Sequence, residues 1–302
     1  MSYRIDPTRR LDREIRRIGH EQLARAIESL QGEGGTDAGV HDARKRFKKV
    51  RGLYRLVRSA APDFYRGENG RLRDAARSLS GFRDATAMVE AVDDLRGHLG
   101  LDGDGESLRL LGEKLAERRQ NRTEQARSEM SERLASVIEA CEAARAALDD
   151  LSIEAGTAGH AARIVGRGWQ RVLSRGKKAM EACREEAAPE AFHDLRKRAK
   201  YHGMHARLLR DAWPGQMRIR YDAAKRFGDG LGHEHDLTVL IDLIGKEPVL
   251  VEGADRDLIM RLIADRQAEL RAGALRAAAT FFSGKPRRER KRMSLLWKRA
   301  AG

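Results

Sequence analysis

The 302-residue sequence predicts an all-α protein whose two similar halves each fold as a four-helix bundle. Aromatic residues make up only 5% of the chain, and straight-chain and small residues dominate. This composition favours helix over strand, because straight side chains lose little rotamer freedom in a helix. No stretch shows the alternation of apolar and polar residues that a half-buried strand requires.

Glycine-rich breaks divide the chain into eight helical stretches, four in each half. The clearest breaks lie at 32–39, 100–105 and 152–159. The predicted helices span residues 8–31, 38–60, 66–99, 105–150, 157–186, 190–212, 215–244 and 253–282. We expect a single domain over 1–302, with its first half at 1–150 and its second at 151–302.

The division into halves rests on a repeated motif. His-Asp-x-Arg-Lys-Arg-x-Lys begins at His41 and again at His193, 152 residues later. A second match keeps this offset, since Leu-Ser-Gly-Phe-Arg-Asp-Ala-Thr at 79–86 is echoed by Leu-Gly-His-Glu-His-Asp-Leu-Thr at 231–238. Two matches with one offset indicate a duplicated unit.

Each motif helix carries a row of positive charge beside an apolar seam. In the first copy, Val40, Ala43 and Phe47 begin a seam with the three- and four-residue spacing of a buried helix face. The basic row lies about 100° round the helix. Its candidate binding residues are His41, Arg44, Lys45, Lys48, Lys49, Arg51 and Arg55 in the first copy, and His193, Arg196, Lys197, Lys200 and Arg207 in the second.

The charge of these rows is not offset by acids along the helix. Residues 41–58 contain eight Lys or Arg and one acid, Asp42, and residues 193–210 contain six and one acid, Asp194. Like charges three and four residues apart destabilise a helix. A cost repeated in both halves indicates a binding surface more readily than a solvated face.

The second repeated element adds further candidates. Arg73, Arg77 and Arg83 precede Asp84 in the first half, and Lys225 and His235 precede Asp236 in the second. We expect Asp84 and Asp236 to orient a neighbouring Arg or His by hydrogen bonding. The alternative is that each carboxylate forms an ordinary salt bridge near a helix end.

The chemistry of the rows matches a long, flexible anion. A helix face presents cations about 5 Å apart on successive turns. Arginine offers a planar fork for phosphate oxygens, lysine a point charge, and histidine a charge that is tunable near neutral pH. The net charge of +14 independently implies an anionic partner, whether nucleic acid, an anionic membrane surface or another polyanion. Two such helices facing each other would form a basic groove or channel.

A metal-dependent phosphohydrolase is one alternative, because His-Asp occurs at 41–42, 193–194 and 235–236. The best spacing for metal ligands is that of His233, Glu234 and His235 together with His202 and His205. The surrounding cations disfavour a divalent metal, so no metal or cofactor is predicted.

Two further classes are weaker. Single-strand nucleic-acid binding usually adds exposed aromatic residues, and only Tyr54 and Tyr201 lie near the rows, although the basic segment 287–292 could serve as an arm. Covalent catalysis lacks a nucleophile–base arrangement, and Cys141 and Cys183 read as small core residues. Because the chain has only these two cysteines and no apolar signal or spanning segment, we expect a cytoplasmic protein without membrane contact.

Taken together, these motifs resemble the conserved histidine α-helical domain, the CHAD family. The helix from His41 to Arg51, its repeat at 193–200, and the Leu-Gly-x-x-Arg/His-Asp elements at 79–84 and 231–236 all resemble that family. The resemblance implies two four-helix bundles related by pseudo-two-fold symmetry around a basic central cavity. It also implies binding of inorganic polyphosphate at polyphosphate granules, without catalysis, with other phosphate-rich polyanions as further partners and nucleic acid disfavoured.

Overall fold

The prediction of an all-α fold is confirmed. A computed structural model of the chain describes residues 3–32, 37–79, 81–100, 105–154 and 156–302, with the side chains at 37, 81–85 and 121–130 outside that description. Over the described residues the regular structure consists of α-helices and two short 3-10 turns. The helices are α1 Leu11–Gly32, α2 Asp37–Val57, α3 Pro62–Ser78, α4 Gly81–Leu99, α5 Gly105–Asp149, α6 Ala158–Glu185, α7 Pro189–Leu208, α8 Pro214–Lys246, α9 Gly253–Phe281 and α10 Pro286–Ala300.

Two of the helix predictions are wrong in detail. The stretch 66–99 forms two helices, because Leu79 leaves the helical conformation with φ −92° and ψ 6° and is fully buried at the break. Residues 286–300, which no predicted helix covered, form α10, and Pro286 occupies the first turn, where its missing N–H costs nothing. The basic segment 287–292 therefore lies on a helix that Trp297 anchors, only 1% exposed.

The bounds of the helices repeat with the offset of the motifs. The helices α2 and α7 begin at residues 37 and 189, and α3 and α8 begin at 62 and 214, so both pairs are 152 residues apart. The halves differ in where a long helix breaks. The continuous α8 corresponds to α3 and α4, whereas the continuous α5 corresponds to α9 and α10.

A main core and a smaller second core hold the helices. The main core takes apolar residues from α1, α2, α6, α7 and α10 and from the adjoining parts of α3, α5, α8 and α9. The predicted seams are buried in it, from Val40 to Val57 on α2 and from Phe192 to Leu209 on α7. The second core joins α4, the start of α5, the end of α8 and the start of α9. None of the described helices combines the length and apolarity that crossing a bilayer requires.

Close contact between helices depends on glycine at one crossing in particular. On α6, a Cβ added to Gly168 would lie 2.1 Å from the carbonyl oxygen of Leu56 on α2. Backbone atoms cannot move aside as a flexible side chain can, so this position requires glycine. By contrast, a Cβ added to Gly70 on α3 meets nothing within 4 Å.

Alanine should therefore have opposite effects at these two positions. Gly70→Ala is expected to raise the free energy of unfolding by about 0.5–1 kcal/mol, since alanine is the better helix former. Gly168→Ala is expected to lower it by more than about 1 kcal/mol, because α2 and α6 must separate. Chemical denaturation followed by circular dichroism measures both. A Gly168→Ala protein as stable as the wild type would contradict the close crossing.

Candidate anion-binding site

The aspartate of each repeated motif neutralises an arginine rather than orienting the histidine. Asp42 accepts a hydrogen bond from Nε of Arg46 at 2.9 Å, and Asp194 accepts from Nε and Nη2 of Arg198 at 3.0 and 2.9 Å. Both pairs are four residues apart, which places them on one side of each helix. Each motif thus neutralises its second arginine on the flank of the basic row.

The two basic rows meet where α2 contacts α7. We call the group that forms there the central basic cluster: Arg44, Lys48 and Arg51 of α2, His193, Arg196 and Lys200 of α7, and His235 of α8. Lys48 interacts electrostatically with Arg44, Arg51 and Arg196, and Lys200 interacts with Arg196 and Lys48. The structure therefore brings residues 152 apart in the chain into one field of positive charge.

The two central lysines are crowded by protein although water still reaches them. Burial, followed by repulsion from the neighbouring arginines, lowers the pKa of Lys48 to about 8. The pKa of Lys200 is lowered to about 8 by burial, Arg196 and Lys48. The side chain of Lys48 is nevertheless exposed and that of Lys200 partly so. Asp229 and Asp236 of α8 raise the pKa of Lys200, but by less than the other groups lower it.

Two histidines from different helices lie against each other in the cluster. The ring centroids of His193 and His235 are 4.3 Å apart. Burial, then His193, Arg196, Lys200 and Lys197, lowers the pKa of His235 to about 4, and burial with Lys197 and Arg196 also lowers that of His193. Both rings are therefore neutral at neutral pH.

The repeat offset explains why the first half shows no equivalent pair. The residue equivalent to His193 is His41, which is exposed, and the residue equivalent to His235 is Arg83. The side chains of Arg83 and of the predicted orienting residue Asp84 lie outside the described residues.

A second junction between the rows involves Lys49 and Arg207. Burial, then Arg46 and Arg207, lowers the pKa of Lys49 to about 8. Tyr3 donates a hydrogen bond from its hydroxyl to the carbonyl oxygen of Lys49 at 2.7 Å, which fastens the N-terminal segment beside this junction.

Two side chains that the sequence analysis did not assign to the site hold the far end of the α2 row. Asn69 of α3 accepts from Nε of Arg51 at 3.1 Å and from Nη2 of Arg55 at 3.4 Å. The ring of Tyr201 on α7 lies 4.2 Å from the guanidinium of Arg55. For Asn69 the repeat offered a signal, because the equivalent residue, Tyr221, lies under Arg207, the equivalent of Arg55.

The remaining candidates lie outside the cluster. Arg73 and Arg77 are exposed and pair with Asp74 at 2.9 and 3.8 Å, although Arg73 is close enough to act on Arg51. Lys197 pairs with Asp194 at 3.5 Å. Lys45 and Lys225 are also exposed.

The side chains that a metal site would need point to different surroundings. His202 packs among aromatic rings, and Nε2 of His205 is 3.0 Å from a backbone carbonyl oxygen of α2. Nδ1 of His233 is 2.6 Å from Asp94 of α4, while His235 faces His193. Within the described residues, no three His, Cys, Asp or Glu side chains converge as metal ligands would.

A separate cavity of about 430 Å³ lies between the start of α5 and the start of α9. Its apolar lining residues include Leu110, Leu111 and Val251. Its lysine, Lys114, donates hydrogen bonds to two backbone carbonyl oxygens at 3.0 and 3.1 Å. This cavity therefore offers a polyanion much less than the central basic cluster does.

Comparison with known proteins supports the resemblance found in the sequence. A family model described as the CHAD domain matches residues 17–245. The crystal structure of the CHAD domain from the plant Ricinus communis has a similar fold, with a TM-score of 0.64 and 15% sequence identity over 94% of this chain and 96% of that chain. No curated protein matches.

The crowded lysines should make stability depend on pH. Their pKa is about 8 in the folded protein, against about 10.4 in an unfolded chain. Between these values the unfolded chain binds more protons, so the free energy of unfolding should rise as pH increases from about 8 to about 10. Lys48→Met combined with Lys200→Met should stabilise the protein at pH 7 and flatten this rise, measured by denaturation at each pH.

Lys178→Met combined with Lys291→Met is the matched control, because both lysines are exposed and lie outside the cluster. This pair should leave the pH dependence as it is in the wild type. If the free energy of unfolding rose equally with pH in the wild type, the Lys48 and Lys200 variant and the control, the central lysines would not be repelled by their neighbours.

Proposed function

The chain belongs to the CHAD domain family, and from that premise we propose that it binds inorganic polyphosphate at the central basic cluster. The family is associated with polyphosphate binding in general. The observation that carries the proposal for this chain is the meeting of two histidine-headed basic rows. At their centre Lys48 and Lys200 act on each other and remain accessible to water.

A linear polyanion fits this arrangement better than a single phosphate does. The row on α2 from Arg44 to Arg55 extends over about 16 Å at about 1.5 Å per residue. Such a line offers contacts to several successive phosphate groups. Arginine supplies paired N–H groups for phosphate oxygens, and lysine supplies charge without a fixed direction.

The aromatic residues near the rows favour phosphate over nucleobases. Tyr65, Tyr201 and Tyr221 lie within 6 Å of arginine guanidinium groups, which occupy their faces. Base stacking on single-stranded nucleic acid needs free aromatic faces. We therefore propose a preference for a chain of phosphates without bases.

We propose further that the halves form two four-helix bundles related by pseudo-two-fold symmetry, with the cluster lining a cavity between them. The common offset of α2 with α7 and of α3 with α8 supports the symmetry. The exposed yet crowded Lys48 supports a concave, water-filled site. Association with polyphosphate granules would follow from binding alone.

We propose that the chain binds without catalysing a reaction. The aspartate of each motif is engaged by arginine, so it does not serve as a base for its histidine. The neutral histidine pair lies among cations, a setting that suits anion binding more than metal-assisted hydrolysis. Incubation with polyphosphate should accordingly release no inorganic phosphate.

Calorimetric titration tests the proposed binding. At equal salt, long-chain polyphosphate should bind more tightly than single-stranded DNA of similar total charge, and the logarithm of affinity should fall linearly with the logarithm of salt concentration. Lys48→Glu combined with Lys200→Glu should weaken binding by more than either single change, and by at least about tenfold, since charged hydrogen bonds contribute about 1.5–3 kcal/mol.

Lys178→Glu combined with Lys291→Glu produces the same change in net charge at exposed positions outside the cluster. This control should retain most of the affinity. Equal affinity of the wild type for polyphosphate and DNA would refute the preference. Binding that survives in the Lys48 and Lys200 double variant would refute the site.

Binding should also take up protons. Bound phosphates raise the pKa of nearby histidines and lysines, and in the ligand-free protein these values are lowered, to about 4 for His235 and about 8 for Lys48 and Lys200. Affinity should therefore increase as pH falls from 9 to 5. Titrations in buffers of different ionisation enthalpy measure the uptake.

His235→Gln should reduce proton uptake at pH 5–6, whereas His160→Gln, at an exposed position on α6, should not. Uptake that is equal in both variants would show that the histidine pair does not sense the ligand.

A further inference from the structure

A second group of arginines, distinct from the central basic cluster, lies where α6 crosses the end of α2. It consists of Arg58, directly after α2, and Arg171 and Arg175 of α6, and we call it the α6 cluster. Gly168 sets its position, because it brings α6 against the backbone of Leu56. Arg171 and Arg175 follow Gly168 by three and seven residues and so lie on the same face of α6.

The charges of this cluster repel one another. Arg58 interacts electrostatically with Arg171 and Arg55, and Arg175 with Arg198, Arg58 and Arg55. Arg198 has a carboxylate partner, Asp194. In the part of the chain that the structure describes, Arg58, Arg171 and Arg175 form no ion pair.

Aromatic rings fix the orientation of the neighbouring guanidinium groups. The guanidinium of Arg58 lies 4.9 Å from the ring centroid of Tyr65, at the start of α3, and that of Arg55 lies 5.7 Å from it. A guanidinium held over a ring keeps its N–H groups at the edge, where phosphate oxygens can accept from them. Ordering before binding lowers the entropic cost of binding a ligand.

The α6 cluster is continuous with the central basic cluster. Arg51, a member of the central cluster, interacts electrostatically with Arg55, and Arg55 interacts with Arg58 and Arg175. The path of positive charge therefore leaves α2 at its C-terminal end and continues on α6.

The α6 residues of this cluster have no basic equivalents in the first half, although Arg58 itself corresponds to Arg210. At the offset of 152, the residues equivalent to Arg171 and Arg175 are Gly19 and Leu23 of α1. Leu23 is fully buried, and a Cβ added to Gly19 would lie 2.6 Å from Leu148. The extension therefore occurs at one end of the duplicated site and makes it asymmetric.

We propose that the α6 cluster is an outlying phosphate subsite, over which a polyphosphate chain too long for the central basic cluster continues. This inference rests on the proposed function. It assigns a binding role to Arg58, Arg171 and Arg175 and a direction to the bound chain, which leaves the central site past the end of α2.

The test compares chain lengths in the full-length protein. Arg171→Ala combined with Arg175→Ala should weaken the binding of long-chain polyphosphate by roughly tenfold and leave the affinity for tripolyphosphate unchanged, because the short anion is held at the central cluster. The slope of log affinity against log salt for the long chain should become shallower by roughly 1 to 2, as fewer phosphates are neutralised.

Arg163→Ala combined with Arg184→Ala is the matched control, since both are exposed arginines on other faces of α6. It should change the affinity for either anion by no more than about twofold. Arg171→Lys combined with Arg175→Lys changes the same two positions but preserves their charge, so it separates loss of charge from misfolding. This variant should keep the wild-type salt slope and most of the affinity for the long chain.

The outcomes separate this inference from the proposed function. A wild-type protein that binds no polyphosphate would refute the function itself. Wild-type binding with no effect of the Arg171 and Arg175 alanine variant on the long chain would overturn the subsite alone. Equal losses for long and short anions would also overturn it, since the arginines would then act on the central cluster.

Discussion

Repulsion between the cations of α2 and α7 is the constraint on which the rest of the structure depends. Lys48 and Lys200 act on each other across the contact of the two helices, and no carboxylate within either row offsets them fully. The apolar seams hold the helices together against this repulsion. A fully buried large side chain such as Phe47 or Phe192 contributes about 1.5–3 kcal/mol, and several buried side chains line each seam. Apolar packing therefore outweighs the repulsion between the cations, and the folded protein keeps a region of high positive potential that an anionic ligand would lower.

The two aspartates of the motifs show which part of each basic row is neutralised and which part stays positive. Asp42 and Asp194 neutralise Arg46 and Arg198 on the flanks, where charge would otherwise face neighbouring helices. Two other cations of each motif lie in the central basic cluster. They are Arg44 and Lys48 on α2, and Arg196 and Lys200 on α7. Each motif thus combines a salt bridge on its flank with two cations that lie in the central basic cluster, which explains why a His-Asp sequence here does not imply a catalytic pair.

The sequence predicted what depends on local periodicity and on the repeat. The all-α class, the buried seams and the two basic rows follow from spacing along single helices. The break at Leu79 was missed because apolar periodicity continues across it, and α10 was missed because its charge resembles that of a solvated terminus. Asn69 and Tyr201 join the site through contacts between helices. The α6 cluster was also not predicted, because its arginines come together only through contacts between helices. The repeat gave no sign of Arg171 and Arg175, since the equivalent residues are Gly19 and Leu23.

The two halves differ in sequence at the position that His235 occupies in the central basic cluster. Where the second half has His235, the first half has Arg83, and an arginine remains charged at any physiological pH. The histidine pair is neutral in the ligand-free protein because burial and neighbouring cations lower its pKa. His235 therefore adds no repulsion before a ligand arrives, and it would gain charge once the phosphates of the proposed ligand are near. An arginine at position 235 would carry its charge, and therefore its repulsion, at all times, so histidine there reduces the cost of folding and would still supply charge when the proposed ligand is bound.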